Sequence, residues 1–417
     1  MGFPESGERP PKPRIGFPAA VLSAIGAIVL AAPWAGCAPR RTAGPVEVPA
    51  PTRADPRAEP EIRVLLTGAS GKAEVAVRAE GPAVFDSGNE PAALPVPFPE
   101  SAVFRVANGG VEAAGTELAP APRFLIRAAP NAAFRIGDRR YAGVLEIERE
   151  GESLRVINAA CLETYLRGVV GGEMPASWEV EALKAQAVAA RTYAVARRRD
   201  ARASGAPFDL RDDTRSQVYG GIPSGPFAAR VGDAVSSTAG QVLAFRGRAF
   251  TAYFHSTCGG HTESAERIFG TDRGIEPLGG APCGFCDGSP TYRWEARLPR
   301  TEVEKALGVE GIASIGAQDP GPSGRCLEVK VEGTGGAKIL SSMEFRRLLG
   351  YAVLKSTAFT AEFEGADVLF RGTGFGHGVG MCQWGARGMA RAGRNAEAIL
   401  LRYYPGSSIG TMEASQR

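Results

Sequence analysis

The sequence predicts an α+β fold in which a β-rich N-terminal portion packs with a helix-containing core. Between Ile62 and Asn158, short runs rich in Val, Ile and Phe recur between Gly, Pro and Asn clusters, as strands and turns do. From Leu162 the pattern changes to an alanine-rich stretch that suits a long, tightly packed helix. Composition agrees with a globular body: 417 residues are 44% hydrophobic and 22% charged, enough for one large domain or a few smaller ones. The mean hydropathy of −0.10 and the lack of a second long apolar run exclude a polytopic membrane protein. A net charge of +3 is too small for a dedicated nucleic-acid binder.

The first 37 residues read as an export signal. Arg9, Lys12 and Arg14 precede Ala20–Ala32, an uncharged run of 13 residues that suits a signal-peptide core and is short for a membrane span. Ala35-Gly36-Cys37 resembles the end of a bacterial lipoprotein box, with Trp34 where that pattern prefers Leu. Export and lipidation of Cys37 are expected, giving a membrane-anchored protein of the cell envelope. Simple cleavage nearby, or retention of the uncleaved signal as an anchor, is the alternative. Residues 38–60, rich in Pro, Ala and charge, form a semi-extended linker.

Structure is expected to begin at Ile62. IRVLL, AEVAVRA, AVFRV, RFLIRA, FRIG, YAGVLEIERE and SLRVIN are strand-like, and VLEIE alternates as a sheet with one wet face does. Residues 61–158 form the β-rich portion, 159–410 the core and 411–417 a tail. In the core, a short helical turn after Leu162 leads through a Gly171-Gly172 loop into the long helix. Ser177 is its expected N-cap, Glu179 and Glu181 lie in its positive first turn, and Arg197, Arg198 and Arg199 close its negative end. Arg191 on this helix is, by default, the partner of a nearby carboxylate.

Glu173 stands out among the carboxylates. It follows two glycines that permit close approach and precedes Met174-Pro175, which stops the helix. Enclosed by Met174, Trp178 and backbone, it would be partly desolvated, with the raised pKa that a general acid needs. The ordinary alternative is a surface loop glutamate.

These residues also carry a family resemblance. Tyr165–Ala194, DTRSQVYGG (Asp213–Gly221), YFHSTCGGHTE (Tyr253–Glu263) and GTGFGHGVGMCQWGARGMA (Gly372–Ala390) resemble, in order, four blocks of the SpoIID/LytB domain family. The resemblance implies a bacterial protein acting on peptidoglycan glycan strands, either as a lytic transglycosylase or as a wall-binding module that recruits or enhances an amidase. It maps a catalytic glutamate onto Glu173 and an active-site arginine onto Arg191. A sporulation role does not follow from it.

Chemistry bears on the choice separately. Glycoside hydrolysis uses two carboxylates about 5–5.5 Å apart for retention or roughly 6.5–9.5 Å for inversion. Glu163, Glu179 and Glu181 are the candidates for a second, and the last two suit the helix start better. A lytic transglycosylase needs only one, because the C6 hydroxyl of the sugar attacks the anomeric carbon. Arg191 would then orient Glu173 or bind a substrate oxygen. Candidate substrate contacts are Gln217, Tyr219, Ser256, Phe375, His377, Gln383 and Trp384, since aromatic faces and amides suit sugars. The aromatics read equally as core. The glycine-rich run lacks the βαβ context of a dinucleotide site.

Cysteine spacing gives the most local signal. Cys258 and His261 form a C-x-x-H, and Cys283 and Cys286 a C-x-x-C, with 21 residues between the pairs. Together they predict a closed, structural Cys₃His zinc site, with His255 competing for the fourth position. A disulfide from Cys258 to Cys283 or Cys286 is the alternative in an exported chain. Cys161, Cys326 and Cys382 lack spaced partners and read as buried or weakly reactive thiols.

Overall fold

The computed structural model describes residues 59–86 and 96–412. The predicted signal, Cys37, nearly all of the linker and the end of the tail lie outside them. The α+β expectation holds.

Two sheets build the N-terminal portion. In the seven-stranded one, Glu61–Leu65 lies between Leu210–Arg211 and the long strand Ser153–Cys161, which continues through Val144–Glu150 and Arg123–Ala128. The five-stranded one centres on Glu74–Glu80, whose alternating burial gives it one wet face. Phe104 of one sheet meets Phe124 of the other at 5.7 Å between ring centres, and their inner faces join one core with Ile126, Leu145 and Val156.

Ser153–Cys161 runs directly into helix α1 (Leu162–Glu173). Helix α2 (Val180–Ala203) is the hub of the core and packs on α1, on α3 (Ala228–Ser236) and on strand Gln241–Phe245. Ala185, Ala187, Ala189, Ala190 and Ala194 are fully buried, and their small side chains let neighbours approach.

Local expectations fail at both helix ends. Gly171 and Gly172 belong to α1, so Glu173 is its last residue and no Gly-Gly loop exists. Ser177 does not cap α2: a turn closed by Trp178 N–H on the Pro175 carbonyl leaves Ser177 exposed, and Glu179 takes the N-cap position. The helix runs past Arg197–Arg199 to Ala203, since nothing after the arginines breaks it.

Short helices α4 (Ala265–Phe269), α5 (Arg300–Leu307) and α6 (Ser342–Leu349) follow. The last two pack with strands between Arg293 and Thr373 on a second apolar core that includes Trp294, Val303, Phe345 and Phe370. The chain then returns through α7 (Gln383–Arg391) and α8 (Ala396–Tyr403), which pack on α2. A two-residue parallel pairing of Phe254–His255 with Met381–Cys382 joins the two glycine-rich blocks. Among the described residues, no helix is long and apolar enough to cross a membrane.

Candidate functional site

Glu173 ends α1 at the negative pole of the helix, where a carboxylate is disfavoured. Its Oε1 accepts the Val218 N–H at 2.7 Å, and its Oε2 accepts the Gln383 side-chain amide at 3.2 Å. The Val218 contact needs Gly172, because a Cβ there would fall 2.6 Å from the Val218 carbonyl. Part of Glu173 reaches solvent, but burial of its carboxyl group raises the pKa, with the two hydrogen bonds opposing the rise.

The carboxylates considered as second catalytic groups are engaged elsewhere. Glu179 pairs with Arg387 and Arg391. Glu181 pairs with Lys184 and accepts the Ala396 N–H. Glu163 holds Arg191 through two bonds of 2.7 and 2.6 Å.

That last pair corrects the role expected of Arg191. Its guanidinium is fully buried, donates to the Gln241 and Val235 carbonyls as well as to Glu163, and does not contact Glu173. It joins α1, α2, α3 and the following strand as the ion pair that an interior arginine needs.

Trp178 follows Glu173 closely in the chain and Trp384 adjoins its partner Gln383, and the two indole ring centres are 5.0 Å apart. The Arg387 guanidinium lies 5.0 Å from each ring, and Glu179 holds it there. Trp384 is half-buried, so part of this aromatic–cation group remains accessible. Ser256 contributes backbone: its carbonyl accepts the Trp384 N–H at 3.1 Å.

Gln217 and Tyr219 are scaffold residues, not substrate contacts. Gln217 is fully buried between the Tyr165 hydroxyl and the Ala190 carbonyl, and Tyr219 donates to Asn158. Phe375 exchanges backbone hydrogen bonds with Thr257. His377 accepts the Val379 N–H on Nδ1, and burial with the Arg325 charge pulls its pKa down to about 3. It is a neutral ring beside a cavity of about 210 Å³ lined also by Arg346, Ser342 and Met343.

The cysteine centre has a different fourth member from the one expected. The sulfurs of Cys258, Cys283, Cys286 and Cys382 are buried and lie within 4.8 Å of one another, a set able to coordinate a metal ion. His261 is outside it, with Nδ1 turned to the Thr262 carbonyl, and His255 uses Nδ1 on the Val379 carbonyl. Cys382 arrives through the parallel strand pairing, which no local spacing signals. Cys258 and Cys286 sulfurs are 3.4 Å apart, far beyond a disulfide bond of about 2.05 Å and close to the roughly 3.8 Å edge of a tetrahedral zinc–thiolate site. The Cys258, Gly260 and Gly385 N–H groups donate to these sulfurs, and the Tyr403 hydroxyl lies 3.0 Å from Cys283 Sγ. Donors around sulfur are what ligating thiolates require.

The family model of stage II sporulation protein matches residues 150–245, the stretch that holds α1, Glu173 and α2. Stage II sporulation protein D of Bacillus subtilis is 34% identical over 266 residues, covering 61% of this chain and 75% of that protein. The chain belongs to the SpoIID/LytB family. An uncharacterized protein of Brachyspira hyodysenteriae is 34% identical over 281 residues, covering 66% of this chain and 74% of its own. The amidase enhancer of B. subtilis is 29% identical over 292 residues, covering 58% of this chain and 40% of that longer protein. Within this SpoIID/LytB member, residues 286–380 match a second model, a domain of unknown function (DUF8618). Cys286 opens that segment and Cys382 follows its end. The family is associated with peptidoglycan modification.

The Arg191–Glu163 assignment is testable. Arg191→Met should lower unfolding stability by about 3–5 kcal/mol, as loss of one partner of a buried pair does. Denaturant titration measures this, and a variant as stable as the parent would remove the structural role assigned to Arg191.

Proposed function

We propose that this protein is an exported lytic transglycosylase that cleaves peptidoglycan glycan strands with Glu173 as its single acid/base. The observation that supports this best is one desolvated carboxyl group, held by Val218 and Gln383, while the neighbouring carboxylates are bound to cations. In the first step the Glu173 proton passes to the glycosidic oxygen and the bond from that oxygen to the anomeric carbon breaks. The sugar becomes oxocarbenium-like and the remaining strand leaves as an alcohol. In the second step the C6 hydroxyl attacks the anomeric carbon and returns its proton to Glu173, so no water is consumed. Gln383 suits both states, because its amide can present either NH₂ or C=O to the carboxyl group. The exposed edge of Trp384 offers a sugar-stacking face.

The four cysteines fit a structural zinc. Cys258, Cys283, Cys286 and Cys382 would fill all four positions and tie segments over a hundred residues apart. Lipidation at Cys37 would place the domain at the membrane, facing the wall. The similarity to an amidase enhancer favours one second reading, a module that binds glycan and stimulates a wall amidase without cutting the strand itself.

Mass analysis of purified glycan strands after digestion separates these. The enzyme should release products with 1,6-anhydro ends, and Glu173→Gln should cut the rate by about 10²–10⁴-fold while strand binding survives. Free reducing ends would identify a hydrolase, and binding without products would favour the enhancer.

A pH profile tests the Glu173 environment. Activity needs the protonated acid, so it should fall as pH rises through the raised Glu173 pKa. Gln383 lowers that pKa, so Gln383→Leu should move the alkaline limb to higher pH. A limb that stays in place or moves lower would show that Gln383 does not act on the acid.

Elemental analysis should find about one zinc per chain, and chelation should lower the melting temperature because binding energy becomes folding energy. A metal-free protein with a Cys258 disulfide would end the zinc reading.

A further inference from the structure

Among the described residues, two arginines have no exposed surface, Arg191 and Arg325. Glu163 accounts for Arg191. Arg325 has no such partner among the described residues. Its donors go to carbonyls: Nη1 to Cys258 at 2.9 Å, Nη2 to Thr257 and Gly376 at 3.3 Å each, and Nε to Gly376 at 3.3 Å. Those bonds give each of its three nitrogens a partner but leave its charge unbalanced. A buried unit charge without a counter-charge is costly enough to require another source of balance.

Glu263 is the buried carboxylate nearby, but it accepts from Ser323 and Ser264 and makes no ion pair among the described residues. Arg325 comes from the 286–380 segment and reaches into the glycine-rich block, where Gly378 makes room: a Cβ there would lie 2.5 Å from Arg325 Nε.

We propose that Arg325 is the counter-charge of the four-cysteine centre and a positioning residue for its metal. The argument rests on the metal reading given above. Four thiolates and one divalent ion leave a net charge of about −2, buried with the sulfurs. N–H and O–H donors around the sulfurs spread that charge without neutralising it, whereas the guanidinium on the Cys258 carbonyl supplies a full positive charge. The segment between two of the metal ligands thereby returns a side chain to the centre. Metal retention would depend on that segment being docked.

The test compares Arg325→Gln with Arg325→Lys in the full chain, since both keep a hydrogen-bond donor and only lysine keeps the charge. Zinc affinity is read by competition with a chromophoric chelator, using zinc alone as the probe. Arg325→Gln should hold zinc about 10–100-fold more weakly than the parent, the usual span for outer-shell partners of a metal site. Arg325→Lys should stay nearer the parent. The melting temperatures of the Gln and Lys variants should differ more with zinc bound than after its removal. Equal zinc affinity in the two variants, with the parent carrying zinc, would overturn the counter-charge alone. So would an equal melting difference with and without zinc. A parent that carries no zinc would take down the metal reading and this proposal together.

Discussion

Two ladder positions, Phe254 opposite Met381 and His255 opposite Cys382, determine where the candidate site residues of the second glycine-rich block sit. The pairing brings together glycine-rich blocks more than a hundred residues apart in the chain. Three successive residues then reach three destinations. Cys382 joins the other three sulfurs, Gln383 bonds Glu173, and Trp384 packs on Trp178. A one-residue slip would reverse the faces on which these side chains project and break all three contacts together. Cys382 is also the N-cap of α7, its sulfur accepting the Gly385 N–H, so the helix that carries Gln383 and Trp384 starts on a ligand of the centre.

The surrounding charges are sorted by what they touch. Arg191, which a family comparison alone would place at the reaction, is consumed by Glu163 and two carbonyls, and its work is to hold α2 against α1. Glu179 is consumed by Arg387 and Arg391 and fixes a guanidinium against two indoles. Glu173 is left with neutral partners, the Val218 N–H and the Gln383 amide. Each hydrogen bond to it favours the ionised form, while burial and the helix terminus oppose it. A group balanced in this way can change protonation state without breaking an ion pair.

What was legible in the sequence follows from the range of the interactions. The desolvation of Glu173 was legible because its features are local: two glycines before it, Met-Pro after it and a tryptophan soon afterwards. Cys258, Cys283 and Cys286 were legible for the same reason. Cys382 was not, since its partners come through a long-range parallel pairing, and the C-x-x-H reading gave its place to His261, whose ring faces its own chain instead. Gln217 and Tyr219 belong to a conspicuous motif, but they pack under the site and support it from within. The 286–380 segment with its separate apolar core has no marker in composition, because the surrounding chain is equally rich in short strands.

The link from the four-cysteine centre to Glu173 bears on how a loss of the proposed activity on chelation would be interpreted. On the proposed zinc reading an ion would pin Cys382, and Gln383 is the next residue, so release of the ion would act on Glu173 through a single peptide link. That effect would have a sign: the Gln383 hydrogen bond lowers the Glu173 pKa, and loosening it would raise the pKa and, with Glu173 as the proposed acid, carry the alkaline limb upward. An ion acting on the substrate would lower the rate without displacing that limb, because Glu173 would keep both of its hydrogen bonds. On that reading the centre would reach the proposed chemistry through the position of a neighbouring amide, with all four of its own coordination places taken by sulfur.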